Sequence, residues 1–250
     1  MLIVLPPSET KAVGGKNPAI DFDSLHFPTL NPIRKEIAHD LARLDISQAQ
    51  EILKLSQKLL PEAQRNIEIF QSPTMPAVLR YTGVLYDALD ATSLPSSTWE
   101  HLAVGSALFG VVMANDNIPH YRLSGTTKLP CADASVPTLK RRWDNAISTA
   151  LSDTNEVILD LRSGTYQQLG KVKHAITVRV ESEDSDGKRS VISHFNKHYK
   201  GQLARALLLH DVTPDPDHAI EDLIGMTQEC GFAVEHSKPH ELTVVITQCY

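Results

Sequence analysis

The sequence predicts an α/β fold of mixed α+β character: one domain over residues 1–250, with a central mixed sheet and flanking helices. Three observations lead there. Leu2-Ile3-Val4-Leu5 is a continuous apolar run of strand length. Further strand-like runs recur at 156–160, 176–180 and 242–247, and the segments between them carry three- and four-residue helical spacing. The 250 residues are 42% apolar and 22% charged, enough to bury a core without disulfides or a metal, and unlike a disordered, collagen-like or membrane chain.

The first run ends at Pro6-Pro7, where prolines remove ladder donors, so a buried strand delivers the polar loop Pro6 to Lys11 at its carboxyl end. Asn31-Pro32 marks a helix start, after which Ile33, Ile37, Leu41 and Leu44 share one face. Ser47 is placed to cap a second helix through Ile52, Leu55 and Leu59. Pro61 opens a third, through Ile67 to Phe70. No glycine interrupts the chain between Lys16 and Thr82.

Val104 to Met113 is an apolar run holding Gly105 and Gly110, and Tyr121-Arg122-Leu123 reads as a short strand. Thr138 to Leu151 reads as one helix with Leu139, Trp143, Ile147 and Leu151 on one face. Glu156 to Asp160 reads as a strand that ends in the polar turn Arg162 to Thr165. Ile176, Val178 and Val180 alternate as in a half-buried strand, and a charged Asp-Gly turn leads on to Ser190-Val191-Ile192. Gly201 to Leu209 and Asp217 to Cys230 read as helices. Phe232 to Val234 and Leu242 to Thr247 form a last strand pair.

Twenty-four Lys and Arg against 30 Asp and Glu leave a net charge of -6, which by itself gives no sign of a nucleic-acid partner. The charge is uneven. Arg122 to Arg205 holds 14 basic and 9 acidic residues, a balance of +5. Ala206 to Tyr250 holds only Lys238 against eight acidic residues, a balance of -7. Either a basic middle is masked by an acidic end, or the end is a solvated acidic face. Cys131, Cys230 and Cys249 are odd in number and far apart, which signals no disulfide framework. The apolar run at the start is too short for a signal peptide, so a cytoplasmic protein is the expectation, and a monomer is expected beside it.

Four stretches carry candidate chemistry. Pro6-Pro7-Ser8-Glu9-Thr10-Lys11 puts two hydroxyls, a carboxylate and an ammonium on a stiff strand-end loop, as a pre-organised site or as a polar surface turn. The glycines of Tyr81-Thr82-Gly83-Val84-Leu85-Tyr86 and Gly105 to Gly110 permit close backbone approach. Leu108-Phe109-Gly110-Val111 has the apolar-apolar-Gly-apolar form of a helix-hairpin-helix turn, a form that small-residue packing also produces. Within Asn115 to Arg122, Arg122 is fit either to recognise a phosphate or carboxylate or to pair with Asp116.

The densest stretch runs from His194 to Gly201, followed by Arg205. Lys197, Lys200 and Arg205 there suit an anion, more so beside a helix N-terminus. His194 and His198 have a metal-compatible spacing but no evident third ligand, so a surface pair is expected, with no metal and no cofactor. Walker and Rossmann glycine loops and GxSxG are absent from the sequence. Cys131 has no adjacent cation and reads as a buried inert thiol.

Together these stretches resemble the peroxide stress protein YaaA family, a family of unknown-function-domain proteins. The strand-loop pattern ILxxPxxT is similar to Ile3 to Thr10, and Y-x-G-x-x-Y to Tyr81 to Tyr86. S-G-L-Y-G-V followed by P-x-Y-R-L is similar to Ser106 to Val111 and Pro119 to Leu123. N-L-x-S-x-x-Y is similar to Asp160 to Tyr166, and K-x-x-R-G with a later arginine to Lys197 to Gly201 with Arg205.

The resemblance implies a cytoplasmic protein of the peroxide or oxidative stress response that limits iron-driven damage, an iron-homeostasis role. It also implies a single α/β domain with a helix-hairpin-helix element and non-specific, salt-dependent DNA binding in a basic cleft. Carried over by position, Thr10, Lys11, Arg122, Lys197, Lys200, Gly201 and Arg205 line that cleft, with Ser8, Asp160 and Ser163 as accessory groups. Three departures reduce its cationic or bidentate capacity: Glu9 where the family loop commonly has lysine, Met113-Ala114 in place of R-P, and Lys200 in place of arginine. The rival reading is an enzyme acting on a small anionic or nucleotide-like substrate in the same cleft. A closed pocket of substrate size favours the enzyme, and a long open groove favours DNA.

Overall fold

The computed structural model describes residues 1–191, 195–210 and 213–247. Strand β1 (Leu2–Leu5) buries all four of its residues, as an apolar run with no polar alternation requires when both faces of a strand are covered. A helical layer follows: α1 (Asn31–Ala42), α2 (Ile46–Ile52) and α3 (Leu60–Ile67). The cap of α2 is Asp45, not Ser47. Its carboxylate accepts the Gln48 N–H at 2.8 Å while its own N–H donates to the Gln48 side chain at 3.1 Å, a capping box.

The short strand β2 (Met75–Pro76), helix α4 (Ala77–Arg80) and helix α5 (Val84–Leu89) lead back to the sheet. There β3 (Leu102–Ser106) and β4 (Gly110–Met113) form an antiparallel hairpin. Of Leu108-Phe109-Gly110-Val111, the first two lie in the buried turn Ala107 to Phe109 that connects the strands, and the last two open β4. These four residues therefore lead from a turn into a strand, and they are not a helix-hairpin-helix turn. Gly110 is required there, with φ +71° and the Trp143 ring 3.0 Å from where a Cβ would stand.

Strand β5 (Asn117–Ile118) pairs with β2 in a separate two-stranded sheet. Tyr121 to Leu123, expected as a strand, have irregular backbone. The helix expected over 138–151 is two: α6 (Leu139–Trp143) and α7 (Ala146–Ser152), broken at Asp144 with φ 43° and ψ -118°. Strand β6 (Ile158–Asp160), helix α8 (Gly164–Gln167) and strand β7 (Ile176–Glu183) follow, β7 with strictly alternating burial. Strand β8 (Arg189–Val191) folds back on β7, and the Ile192 expected to extend it lies outside the described residues. Helices α9 (Asn196–Leu209) and α10 (Ala219–Glu229) and strands β9 (Ala233–Lys238) and β10 (Glu241–Thr247) complete the chain.

The main sheet has eight strands in the order β4-β3-β1-β6-β7-β10-β9, with β8 paired to β7. β3, β1, β6, β7 and β10 are mutually parallel, while β4 and β9 add antiparallel edges. Leu203 and Leu207 of α9 and Leu223 of α10 pack on Leu159, Val178 and Leu242 of the sheet. The fold is thus a mixed α/β domain around a central mixed sheet. Among the described residues no helix is long and apolar enough to cross a membrane.

Candidate site at the carboxyl end of β1

The chain leaves β1 to build β3 on one side and returns to build β6 on the other. Strand order reverses at β1, and in open parallel sheets ligands bind in the crevice outside the carboxyl ends at such a point. The loop delivered there is Pro6 to Lys11. The Thr10 hydroxyl is 3.1 Å from that of Ser8 and donates to the Thr82 carbonyl at 3.3 Å. The Tyr86 hydroxyl donates to the Pro6 carbonyl at 2.9 Å, and Lys11 bridges to Tyr81 through its backbone. Gly83, at φ +98°, starts α5 against these two hydroxyls.

Beneath the loop lies a buried hydroxyl chain. Tyr81 and Tyr121 share a hydrogen bond at 2.7 Å, and Tyr121 meets the Ser106 hydroxyl at 2.7 Å. The Ser106 oxygen also accepts the Phe109 N–H at 2.9 Å. Burial holds the Tyr81 phenol up at about 12 and Tyr121 well above the ordinary tyrosine range. Lys11 Nζ lies 4.3 Å from the Tyr121 ring centre and 5.2 Å from that of Tyr81, and donates to the Ser8 carbonyl at 3.0 Å. Its pKa falls to about 7. Burial is the largest cause, opposed by Glu9 and aided by Arg122.

Arg122 stands beside this loop. Its guanidinium donates to the Glu9 carbonyl at 2.9 Å and pairs with the Glu9 carboxylate at 3.2 Å. Asp116, the other partner considered from sequence, instead faces His26 at 2.7 Å. The Asn66 side chain grips the Arg122 backbone at both ends, accepting its N–H at 2.7 Å and donating to its carbonyl at 2.9 Å. Beyond the pair opens a hollow of about 640 Å³, lined among others by Glu9, Lys54, Arg122, Ser124, Thr126 and Lys128. Its size falls within the range of small-ligand sites.

The family model for peroxide stress protein YaaA matches residues 1–238. The chain belongs to the peroxide stress protein YaaA family. Membership places it among proteins of the peroxide stress response. It is 54% identical over 246 residues to a UPF0246 protein of Corynebacterium glutamicum, covering 98% of this chain and 99% of that one. A UPF0246 protein of Streptomyces coelicolor is 35% identical over 267 residues, covering all of both chains. An uncharacterized protein of Campylobacter jejuni is 30% identical over 211 residues, covering 81% and 82%.

In this YaaA-family chain the residues singled out from sequence divide into two groups. Ser8, Thr10, Lys11 and Arg122 meet at the β1 loop. The α9 residues face several ways. Lys200 is buried and donates to the Leu161 carbonyl at 3.2 Å, and burial lowers its pKa against the raising effect of Asp160. Gly201 faces Leu85, whose carbonyl oxygen lies 2.2 Å from where a Cβ would stand, so it permits α9 to cross α5. Arg205 donates to the Leu89 and Asp90 carbonyls at 3.0 and 3.1 Å, at the end of α5.

Lys197 is exposed, and so is Phe195, at 65%, although core packing was the role expected of that ring. Asp160 is buried in a two-pronged pair with Arg162, at 2.8 and 2.9 Å. Ser163 is exposed just before α8. His194, the other half of the histidine pair with His198, lies outside the described residues, as does Cys249. Cys131 is half-buried, not buried.

Sequence reasoning passed over Lys54 and Lys128, which reach the hollow from segments that carry no motif. It also passed over the link from Tyr81 to Tyr121. Both residues stood within quoted motifs, and their periodicity gave no hint that they touch.

Proposed function

We propose that this YaaA-family protein serves the peroxide stress response by binding a small anionic, nucleotide-like ligand in the hollow beside the β1 loop. The supporting observation is the hollow itself: about 640 Å³, its lining including Arg122, Lys54 and Lys128 with Ser124 and Thr126, against the carboxylates of Glu9 and Glu51. An anion there competes with Glu9 for the Arg122 fork. The test is a thermal-shift and calorimetric series with inorganic phosphate, AMP and ATP, run on the wild-type chain and on Arg122→Met. A nucleotide is expected to raise Tm, with affinity at least about tenfold weaker in the variant, as loss of a charge-assisted contact implies. A series in which no anion shifts Tm overturns the reading.

DNA binding is the second reading, and one observation favours it. Phe195 is an exposed ring two positions from the exposed Lys197, a pairing suited to stacking on an unpaired base beside a phosphate. Against it, Lys200 and Arg205 spend their donors on protein carbonyls. Fluorescence anisotropy on duplex and bubble DNA across a salt series separates the two. DNA binding requires a steep salt slope, and a flat slope excludes it. Among the described residues no group of three or more His, Cys, Asp or Glu is arranged to hold a metal.

A further inference from the structure

Lys11 differs from the other cations of the site in what surrounds it. Arg122 has the Glu9 carboxylate, whereas Lys11 has no carboxylate at ion-pair distance among the described residues. Its single acceptor among them is the Ser8 carbonyl, and two tyrosine ring faces occupy the adjacent space. The charged groups that act on it are Glu9 and Glu62, which favour the ammonium, and Arg122 and Arg80, which oppose it. Desolvation and neighbouring cations are the two devices that turn a lysine into a nucleophile.

We propose that Lys11 is the nucleophilic amine of this site, condensing in its neutral form with an aldehyde or ketone carried by an anionic ligand. The proposal rests on the anion-site reading and names the chemistry of its substrate. The amine nitrogen adds to the carbonyl carbon and gives up two protons. The carbonyl oxygen takes them and leaves as water, so one C=N bond replaces one C=O bond with no oxidant or reductant. Arg122 is suited to hold the anionic group. A pKa of about 7 leaves a large neutral fraction at neutral pH, where an ordinary lysine has almost none. A group that sheds its charge so readily is a poor permanent anchor for an anion, and its lone pair is what it offers.

The test uses the full chain with glyoxylate, a small anionic aldehyde, and sodium cyanoborohydride to trap the imine, followed by peptide mapping. Lys11 is expected to be modified at least about tenfold faster at pH 7 than the exposed Lys16 and Lys58, with its rate half-maximal near pH 7 instead of near 10. Lys11→Arg should remove the fast adduct, and Lys16→Arg should keep it. Modification no faster than at Lys16, or a rate that rises only near pH 10, overturns the proposal. Because the mapping is done on the wild-type chain, it does not depend on the variant folding. If Lys11 reacts slowly while nucleotide still raises Tm, the amine proposal falls and the anion site stands. If Lys11 reacts fast while no anion raises Tm, the anion-site reading falls.

Discussion

Glu9 and Arg122 form an ion pair at the edge of the hollow. Asn66 holds the Arg122 main chain, and the Glu9 carboxylate and carbonyl hold its guanidinium, so its orientation is fixed before any ligand arrives. The same carboxylate repels an anion and occupies part of the fork. Removing its charge should therefore help binding. Glu9→Gln is expected to tighten phosphate or nucleotide binding by about fivefold, the scale of one half-exposed charge contact, on the order of 1 kcal/mol. Isothermal titration of the variant at fixed ionic strength reads this directly. An unchanged or weaker affinity means that the ligand does not meet Arg122.

At the scale of elements, the approach of α9 to α5 depends on Gly201, since a Cβ there would stand 2.2 Å from the Leu85 carbonyl oxygen and 2.9 Å from the Ala88 Cβ. Gly201→Ala gains about 1 kcal/mol of helix propensity, but it forces two packed helices apart. A net loss of about 1–3 kcal/mol in urea unfolding is expected, and a stabilised variant would show that the helices separate without cost.

That crossing was invisible in the sequence, where the same glycine read as part of a cationic motif. The strand β7 was legible because its alternation survives into the fold, residue by residue. The break between α6 and α7 was not, because Leu139, Trp143, Ile147 and Leu151 are all buried and their spacing runs unbroken across Asp144. Tyr121 to Leu123 read as a strand because its residues suit one. In the fold the Asn66 side chain supplies the two hydrogen bonds that a neighbouring strand would have given. The gathering of Ser8, Glu9, Thr10 and Lys11 on the β1 loop was legible because a strand end and its polar residues are local features. The Tyr81–Tyr121 link spans 40 residues and exists only through the fold.

For the molecule as a whole, a charge sum along the chain is a poor guide to surface potential. Several cations behind the +5 of the middle segment never reach solvent as free charges: Arg162 pairs with Asp160 in the interior, Arg142 with Asp40, and Lys200 points at a carbonyl. Global stability is where one buried charge does register. Lys11 has a pKa of about 7 in the folded chain against 10.5 for the free side chain. Between those values the unfolded chain holds more protons than the folded one, so the contribution of Lys11 to stability becomes more favourable as pH rises. Below pH 7 the full cost of burying the ammonium is present, and above 10.5 it is gone. The Tyr81 and Tyr121 ring faces favour the ammonium and offset part of that cost. Urea unfolding of the wild-type chain and Lys11→Met at pH 7, 8 and 9 isolates this group from the rest. The wild type should gain on the variant by at most about 1.4 kcal/mol per pH unit across that window. A difference that stays flat, or that shrinks as pH rises, would mean that Lys11 keeps its proton in the folded chain, and the neutral amine at the end of β1 would be lost with it.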